Sequence, residues 1–316
     1  MPRIQKPYSR KEKIKMIDIN FERNKVLYED YEECIKFLKT INDSDYEYPQ
    51  EKVKFHIYTE IKTTKELMAI KSYLATQNLE KTELIVWSDY DITDNPLIQP
   101  YKNLITLKVY DPEKEAKNTP LEDNIKLKMK DPKYYLQSDL ARILLLYKYG
   151  GVWCDMDIVL LRDFKPILEQ EYMYMWGSET NFEVQGACAT VLSGLPKSDF
   201  MSQLMAQLIK TPARAGTTCW GKDMFAKLYR RYKFNILPAA FFNIEWYINR
   251  KTPGLGDKIE SQWFLNPLED DEHMFLDSFG WHWHNSSKKD FDVVGGSKFY
   301  NLEKMMDGKL KEKGVL

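Results

Sequence analysis

Apolar and polar positions along the chain follow two different periods, and together they predict a mixed α/β fold. Short apolar runs predict three early strands, at 53–60, 82–91 and 104–111. Between the first two runs, Leu67, Ile70 and Leu74 recur three and four residues apart, which predicts a helix over 62–77. Strand, helix and strand in units of this size favour a mostly parallel central sheet flanked by helices.

Helical spacing returns in the segment SDLARILLLYKYGG (138–151), where Ser138 is the predicted N-cap and the Gly-Gly pair the predicted end. The sequence VWCDMDIVLL follows directly, and we interpret it as a buried strand that contains Asp155 and Asp157. Two more helices are predicted further along the chain, over 198–210 and 221–232.

The two aspartates of the predicted strand have two interpretations. Residues two apart in a strand point to the same side, so Asp155 and Asp157 are expected to share one face. Two carboxylates on one face suit a hard divalent cation with oxygen ligands. The alternative is a pair of edge-strand aspartates that face water.

A charged pair on the preceding helix bears on that choice. Asp139 and Arg142 are three residues apart and therefore share a helix face, opposite the leucines. Because this helix ends in Gly-Gly and leads straight into the D-x-D strand, the pair can lie near the two carboxylates. The alternative is a surface ion pair, which contributes little.

Histidine is scarce, and two of the four histidines stand in WHWHN near the C-terminus. An imidazole together with two carboxylates suits Mn²⁺, so His282 and His284 are candidate ligands. The alternative is a pair of half-buried histidines among tryptophans. Asn285, Ser286 and Lys288 come next, and an amide, a hydroxyl and an ammonium are good donors to a phosphate oxygen.

Composition excludes several classes of protein. The 316 residues have a net charge of -1, which gives no case for nucleic acid or an anionic membrane as the main partner. No apolar run approaches the ~20 residues of a membrane span, and no hydrophobic segment follows the basic N-terminus. Four widely spaced cysteines without C-x-x-C fit a reducing compartment. We therefore expect a soluble, cytoplasmic protein.

The stretch SDLARILLLYKYGGVWCDMD fits the pattern S-D-x-x-R-x-x-x-L-x-K-Y-G-G-x-x-x-D-x-D. This pattern resembles the signature of the DXD-containing sugar transferases of glycosyltransferase family 32. That family includes α-1,4-galactosyltransferase-like and yeast mannosyltransferase-like enzymes, with the clostridial glucosylating toxins as relatives. The resemblance extends from about Val53 to about Lys289 and implies a GT-A fold, a nucleotide-sugar donor, retention of configuration and dependence on Mn²⁺ or Mg²⁺.

The resemblance also implies roles for individual residues. Asp139 and Arg142 would hold hydroxyls of the donor sugar. Asp155 would contact the ribose or the sugar and reach the metal partly through water, whereas Asp157 would bind the metal directly. A C-terminal histidine, in a motif that is commonly H-x-W-N, completes the metal site of the family. The sequence HWHN selects His282, with His284 as the alternative because it stands where the family usually has tryptophan.

Three weaker candidate sites rest on the same resemblance. Tyr58 and Thr59 end the first strand, which would meet the base and ribose. Gln185 and Gly186 lie in a stretch similar to the N-G-A segment beside the sugar, although glutamine replaces the usual asparagine. Asp223 would cap the helix of 221–232 and touch a sugar hydroxyl. Ordinary strand residues and simple helix capping remain the alternatives.

The implied domain organisation has three parts. Residues 1–50 are expected to form a helical and flexible N-terminal extension, 51–290 the GT-A glycosyltransferase domain, and 291–316 a C-terminal tail packed on it. The lack of an anchor departs from the Golgi members and points to a bacterial or viral enzyme.

The expected function is metal-dependent, retaining transfer of a sugar, with a UDP-sugar favoured, to a hydroxyl of a glycan, lipid or protein. A metal-dependent phosphohydrolase could use the same D-x-D, but Val159 occupies the position where the aspartyl phosphatases have threonine. A non-catalytic protein that binds nucleotide-sugars is the third interpretation.

Overall fold

A computed structural model describes residues 16–132, 134–177, 180–243, 263–268, 274–285 and 291–316. Its strands, in chain order, are β1 (Val53–Tyr58), β2 (Thr82–Ser88), β3 (Thr106–Val109), β4 (Gly151–Cys154), β5 (Ile158–Leu160), β6 (Tyr172–Met175), β7 (Ala187–Gly194), β8 (Ile236–Leu237) and β9 (Gly280–His282).

The α-helices of the same residues are α1 (Lys25–Glu29), α2 (Tyr31–Thr40), α3 (Thr64–Thr76), α4 (Pro112–Ala116), α5 (Tyr135–Tyr149), α6 (Phe182–Gln185), α7 (Asp199–Lys210), α8 (Lys222–Tyr229) and α9 (Lys298–Glu312). Within the described part of the chain, no helix combines the length and the apolar character that a bilayer crossing requires.

Seven strands form the central sheet, in the order β3-β2-β1-β4-β7-β6-β8. Within this sheet β7 runs antiparallel to its two neighbours, and the other strands are parallel to one another. The predicted α/β class, with a mostly parallel central sheet and flanking helices, is confirmed. Strands β5 and β9 pair separately as a small antiparallel sheet.

Helix caps explain where several helices begin. Thr63 and Glu66 form a capping box at the start of α3, and the Ser198 hydroxyl accepts a hydrogen bond from Met201 N at the start of α7. Two predicted caps are wrong. Helix α5 begins at Tyr135, so Ser138 lies inside its first turn. Helix α8 begins after Gly221, so Asp223 lies inside the helix and caps nothing.

The Gly-Gly pair ends α5 and brings β4 against β1. Gly150 and Gly151 have φ angles of 64° and 102°, which side-chain-bearing residues rarely adopt. A Cβ at Gly151 would lie 2.1 Å from the carbonyl oxygen of Lys54. The pair therefore allows both the sharp turn and the close approach of the two backbones.

The D-x-D residues lie in a turn rather than in a strand, which corrects the prediction from sequence. Strand β4 ends at Cys154, which pairs with Val191 of β7, and β5 begins at Ile158, which pairs with His282 of β9. The chain changes from one sheet to the other between these strands. Asp155 and Asp157 lie in this connection. Their side chains therefore need not alternate between the two faces of a sheet, as they would in a strand.

Both ends of the described chain pack on the sheet-bearing core. In the N-terminal part the buried Tyr28 hydroxyl donates to the carbonyl of Ile236 at 2.6 Å. In the C-terminal helix α9, Glu303 and Asp307 form ion pairs with the buried Lys71 of α3. The domain limits drawn from the sequence stay a prediction.

We predict that Gly151→Ala destabilises the protein by more than about 2 kcal/mol, because the new side chain meets both a positive φ and the Lys54 carbonyl. Gly308→Ala is the control. This glycine lies inside α9 with open space around it, so alanine should stabilise by about 0.5–1 kcal/mol. Urea unfolding of both variants measures the difference, and similar stabilities would contradict the assigned role of the Gly-Gly turn.

Candidate active site

The candidate site lies at the edge of the central sheet where its parallel strands end. Strands β1 and β4 are parallel neighbours, so Tyr58 and Asp155 leave the sheet at the same edge. The antiparallel strand β7 begins at this edge, directly after Gly186. Ligands of open α/β sheets bind outside the carboxyl ends of the strands.

A buried arginine joins two of the predicted carboxylates. The Arg142 guanidinium donates to both oxygens of Asp155, at 2.8 and 2.9 Å, and lies 3.3 Å from an oxygen of Asp139. Asp139 and Arg142 are only 8% and 6% exposed, so this is not the surface ion pair that the sequence also allowed. Buried ion pairs add little net stability, which favours a functional reason for the group.

Two residues that the sequence analysis missed hold Asp155 in its orientation. Trp153 donates from its indole Nε1 to Asp155 Oδ1 at 2.6 Å, and the Thr190 carbonyl accepts from Asp155 N at 2.8 Å. Trp153 stands two residues before Asp155 and was interpreted only as an apolar strand residue. The sequence feature that indicates this role is the indole N–H, a hydrogen-bond donor two residues before Asp155.

Asp157 is fixed by the segment that carries the histidines. Its Oδ2 accepts from the backbone N–H of Asn285 at 2.8 Å, and its carbonyl accepts from Trp283 N at 3.0 Å. Asn285 therefore contributes its main chain here. Ser286 and Lys288 lie outside the described residues.

Of the two candidate histidines, His282 faces Asp157. Its Nε2 lies 3.4 Å from Asp157 Oδ2, and its ring is almost fully buried. The pairing of Ile158 with His282 in the β5–β9 sheet creates this neighbourhood.

His284 points its Nε2 elsewhere, to Asn243 Oδ1 at 3.1 Å. Its ring packs on that of His282 with a centroid separation of 3.8 Å. The backbone at His284 has a φ of 54°, in the left-handed region that residues other than glycine rarely adopt.

Burial shifts the ionisation of these groups in different directions. Burial raises the pKa of Asp139 to about 6, against the opposing effect of Arg142, and burial also raises the pKa of Asp155. Burial opposes the charged forms of Asp157 and His282 too, but each charge stabilises the other. The pKa of Asp157 is consequently lowered, and that of His282 is raised to about 10.

The weaker candidates lie along the same edge but make other contacts. The Tyr58 hydroxyl donates to Asp89, which follows β2 and was missed from sequence, and Thr59 continues the ladder by donating to the Trp87 carbonyl. A Cβ on Gly186 would lie 2.2 Å from the Lys222 carbonyl, so this glycine lets α6 approach α8. Beside them, Gln185 ends α6 and Asp223 is exposed on α8.

The donor atoms at Asp157 and His282 fit a divalent cation. Two ligands at right angles on an octahedral ion lie about 3 Å apart, close to the separation of Asp157 Oδ2 and His282 Nε2. In the described ranges, no group of three or more His, Cys, Asp or Glu is arranged to hold a metal ion. A cation that takes few protein ligands and completes its shell with substrate phosphates matches such a site.

Residues 63–174 match the family model of the glycosyltransferase sugar-binding region containing the DXD motif. The matched segment includes Asp139, Arg142, Asp155 and Asp157. Residues 63–174 of this chain are therefore similar to the sugar-binding region of DXD-containing glycosyltransferases. His282 and His284 lie beyond the matched segment.

Several solved glycosyltransferases resemble this chain at low identity. PaToxG glycosyltransferase is 12% identical over 91% of this chain and 95% of its own, with a TM-score of 0.38. Apo GlyE from Streptococcus pneumoniae TIGR4 is 11% identical over 84% of this chain, with a TM-score of 0.48. The bifunctional WbbM apo structure is 10% identical over 84% of this chain, with a TM-score of 0.49. The chain spans 64% of GlyE and 51% of WbbM.

We predict that the free energy of unfolding of Asp139→Asn rises relative to that of the wild type as the pH rises. The folded pKa of Asp139, about 6, lies above the ordinary value of 3.8, so the wild type loses stability as the pH rises from about 4 to about 6. The free energy of unfolding of Asp139→Asn relative to wild type should increase by about 1 kcal/mol between pH 5 and pH 8. Denaturant unfolding at both pH values measures this, and a decrease would refute the buried, partly neutral carboxyl.

Proposed function

We propose that the chain is a metal-dependent, retaining glycosyltransferase that moves a sugar from a nucleotide-sugar donor, with a UDP-sugar as first choice, to a hydroxyl of a glycan, lipid or protein. The observation that carries the proposal is the buried pair of Asp157 Oδ2 and His282 Nε2, 3.4 Å apart, next to the group of Asp139, Arg142 and Asp155. Asp157 and His282 offer a cation site. Asp139, Arg142 and Asp155 offer hydrogen-bonding groups for a sugar.

Asp157 and His282 would hold Mn²⁺ or Mg²⁺. The alternative assignment to Asp155 is weaker, because both of its carboxylate oxygens already accept from Arg142 and one also accepts from Trp153. Asp157 keeps more acceptor capacity, since its Oδ2 has one close donor, the Asn285 N–H at 2.8 Å, while His282 Nε2 lies further away at 3.4 Å. When bound, the cation neutralises the negative charge that develops on the leaving diphosphate.

The sugar would lie against the buried ionic group. Arg142 presents N–H donors and Asp139 and Asp155 present acceptors, a combination that matches the alternating donor and acceptor character of sugar hydroxyls. The carboxylates also favour an anomeric carbon that becomes positively charged as its bond to the diphosphate breaks. Asp223, exposed on α8 beside Gln185 and Gly186, would contact a sugar hydroxyl at the outer rim.

In the proposed reaction, the bond between the anomeric carbon and the diphosphate oxygen breaks and the acceptor hydroxyl oxygen forms the new bond. The acceptor proton goes to the leaving diphosphate. We favour front-face attack, because the described residues of the site offer no dedicated pair of nucleophile and base. Asn285, Ser286 and Lys288 would donate hydrogen bonds to the diphosphate. Tyr58 and Thr59, at the end of β1, would contact the base and ribose.

A nucleotide-release assay tests the function. Purified protein is incubated with a panel of UDP- and GDP-sugars, with and without Mn²⁺, and free nucleotide, inorganic phosphate and transferred sugar are measured. The proposal predicts nucleotide release that EDTA abolishes and that Asp157→Ala lowers by at least about 100-fold. Asp45→Ala, at an exposed aspartate, is the control. Release of inorganic phosphate would instead indicate a hydrolase, and no release from any donor would indicate a binding protein.

We predict that the two histidines differ in their effect on metal binding. His282→Ala should weaken Mn²⁺ binding on the order of 100-fold, because it removes the nitrogen that faces Asp157. His284→Ala, whose Nε2 contacts Asn243 instead, should change it by less than about 10-fold. Titration of Mn²⁺ followed by electron paramagnetic resonance measures both, and the reverse order would exchange the roles of the two residues.

A further inference from the structure

The proposed metal ligand His282 has a buried partner on its second ring nitrogen. The Tyr174 hydroxyl lies 2.9 Å from His282 Nδ1, on the opposite side of the ring from Asp157. Tyr174 is fully buried and belongs to β6, a strand of the central sheet, whereas His282 belongs to the small β5–β9 sheet. The contact therefore links the histidine to the rigid part of the fold.

Neighbouring polar groups surround the Tyr174 hydroxyl, which can accept a hydrogen bond from the imidazole. Tyr174 pairs across the strands with Cys188, whose thiol donates to the Tyr174 oxygen at 3.0 Å. The Thr190 side chain also hydrogen-bonds with Tyr174 and lies 3.5 Å from His282 Nε2. Because a phenol oxygen accepts as well as donates, a lone pair of the Tyr174 oxygen can face Nδ1, which then carries the hydrogen.

Protonation at Nδ1 has a direct consequence for Nε2. A neutral histidine that binds a metal through one nitrogen must carry its proton on the other, and a hydrogen bond from that N–H fixes both the tautomer and the ring orientation. We propose that Tyr174 is a positioning residue that accepts a hydrogen bond from His282 Nδ1–H and so keeps Nε2 directed at Asp157 and the cation. This inference rests on the proposed function, since it assumes that His282 binds the metal.

The same strand supplies a matched control. Tyr172 is two residues before Tyr174, is also fully buried, and its hydroxyl makes no hydrogen bond in the described part of the chain. Tyr172→Phe and Tyr174→Phe therefore remove the same atom from the same strand. Only the second removes a contact with His282.

Two measurements test the proposal on wild type and both variants. The affinity for Mn²⁺ alone is measured by electron paramagnetic resonance. In the metal-free protein with ¹⁵N-labelled histidine, the Nδ1–H signal of His282 and its exchange with water are followed by NMR. The chain has four histidines, and His282→Gln identifies the signal. Thermal unfolding checks that both variants are folded.

We expect Tyr174→Phe to weaken Mn²⁺ binding by about 10- to 100-fold and to accelerate exchange of the His282 Nδ1–H. Tyr172→Phe should change neither by more than about 2-fold. Unchanged exchange in Tyr174→Phe overturns the proposal, and so does wild-type affinity. If the wild type itself fails to bind Mn²⁺, the proposed metal function is wrong. Faster Nδ1–H exchange in Tyr174→Phe would then still support the contact between Tyr174 and His282. Unchanged exchange would overturn that contact.

Discussion

The pairing of β5 with β9 is the interaction on which the candidate site depends. It joins Ile158, directly after the D-x-D turn, to His282, from the far C-terminal part of the chain. Without this short antiparallel ladder, Asp157 would have neither the imidazole beside it nor the Asn285 N–H that caps its carboxylate. The central sheet supplies the other half, since Cys154 of β4 and Thr190 of β7 fix the start of the same turn.

Charge balance is the second constraint. Three carboxylates, Asp139, Asp155 and Asp157, are largely removed from water, which is unfavourable unless cations accompany them. Arg142 and His282 are the cations that the described chain supplies. A fold selected for stability alone would gain by filling this volume with apolar side chains. A site that binds a charged nucleotide-sugar, as we propose, has a reason to keep it.

Much of the fold could be predicted from local signals, and part of the site could not. Hydrophobic periodicity predicts the strands β1 and β2. Periodicity and N-cap residues predict the helices α3 and α7, and the two glycines predict the turn after α5. Ser138 and Asp223 were wrongly assigned as caps because helix starts depend on the preceding backbone. The D-x-D turn was interpreted as strand because the apolar residues on both sides belong to different sheets, which no local pattern reveals. Trp153, Tyr174 and Thr190 were missed because their polar atoms act inside apolar strands.

We propose that Asp157 and His282 together hold a divalent cation at a nucleotide-sugar site. Anomalous diffraction at the manganese edge, from crystals soaked with Mn²⁺ and UDP, tests it most directly. The account predicts one strong peak within about 2.4 Å of both Asp157 Oδ2 and His282 Nε2. A peak on Asp155 or His284 without these two atoms, or no peak at the D-x-D turn, would contradict it.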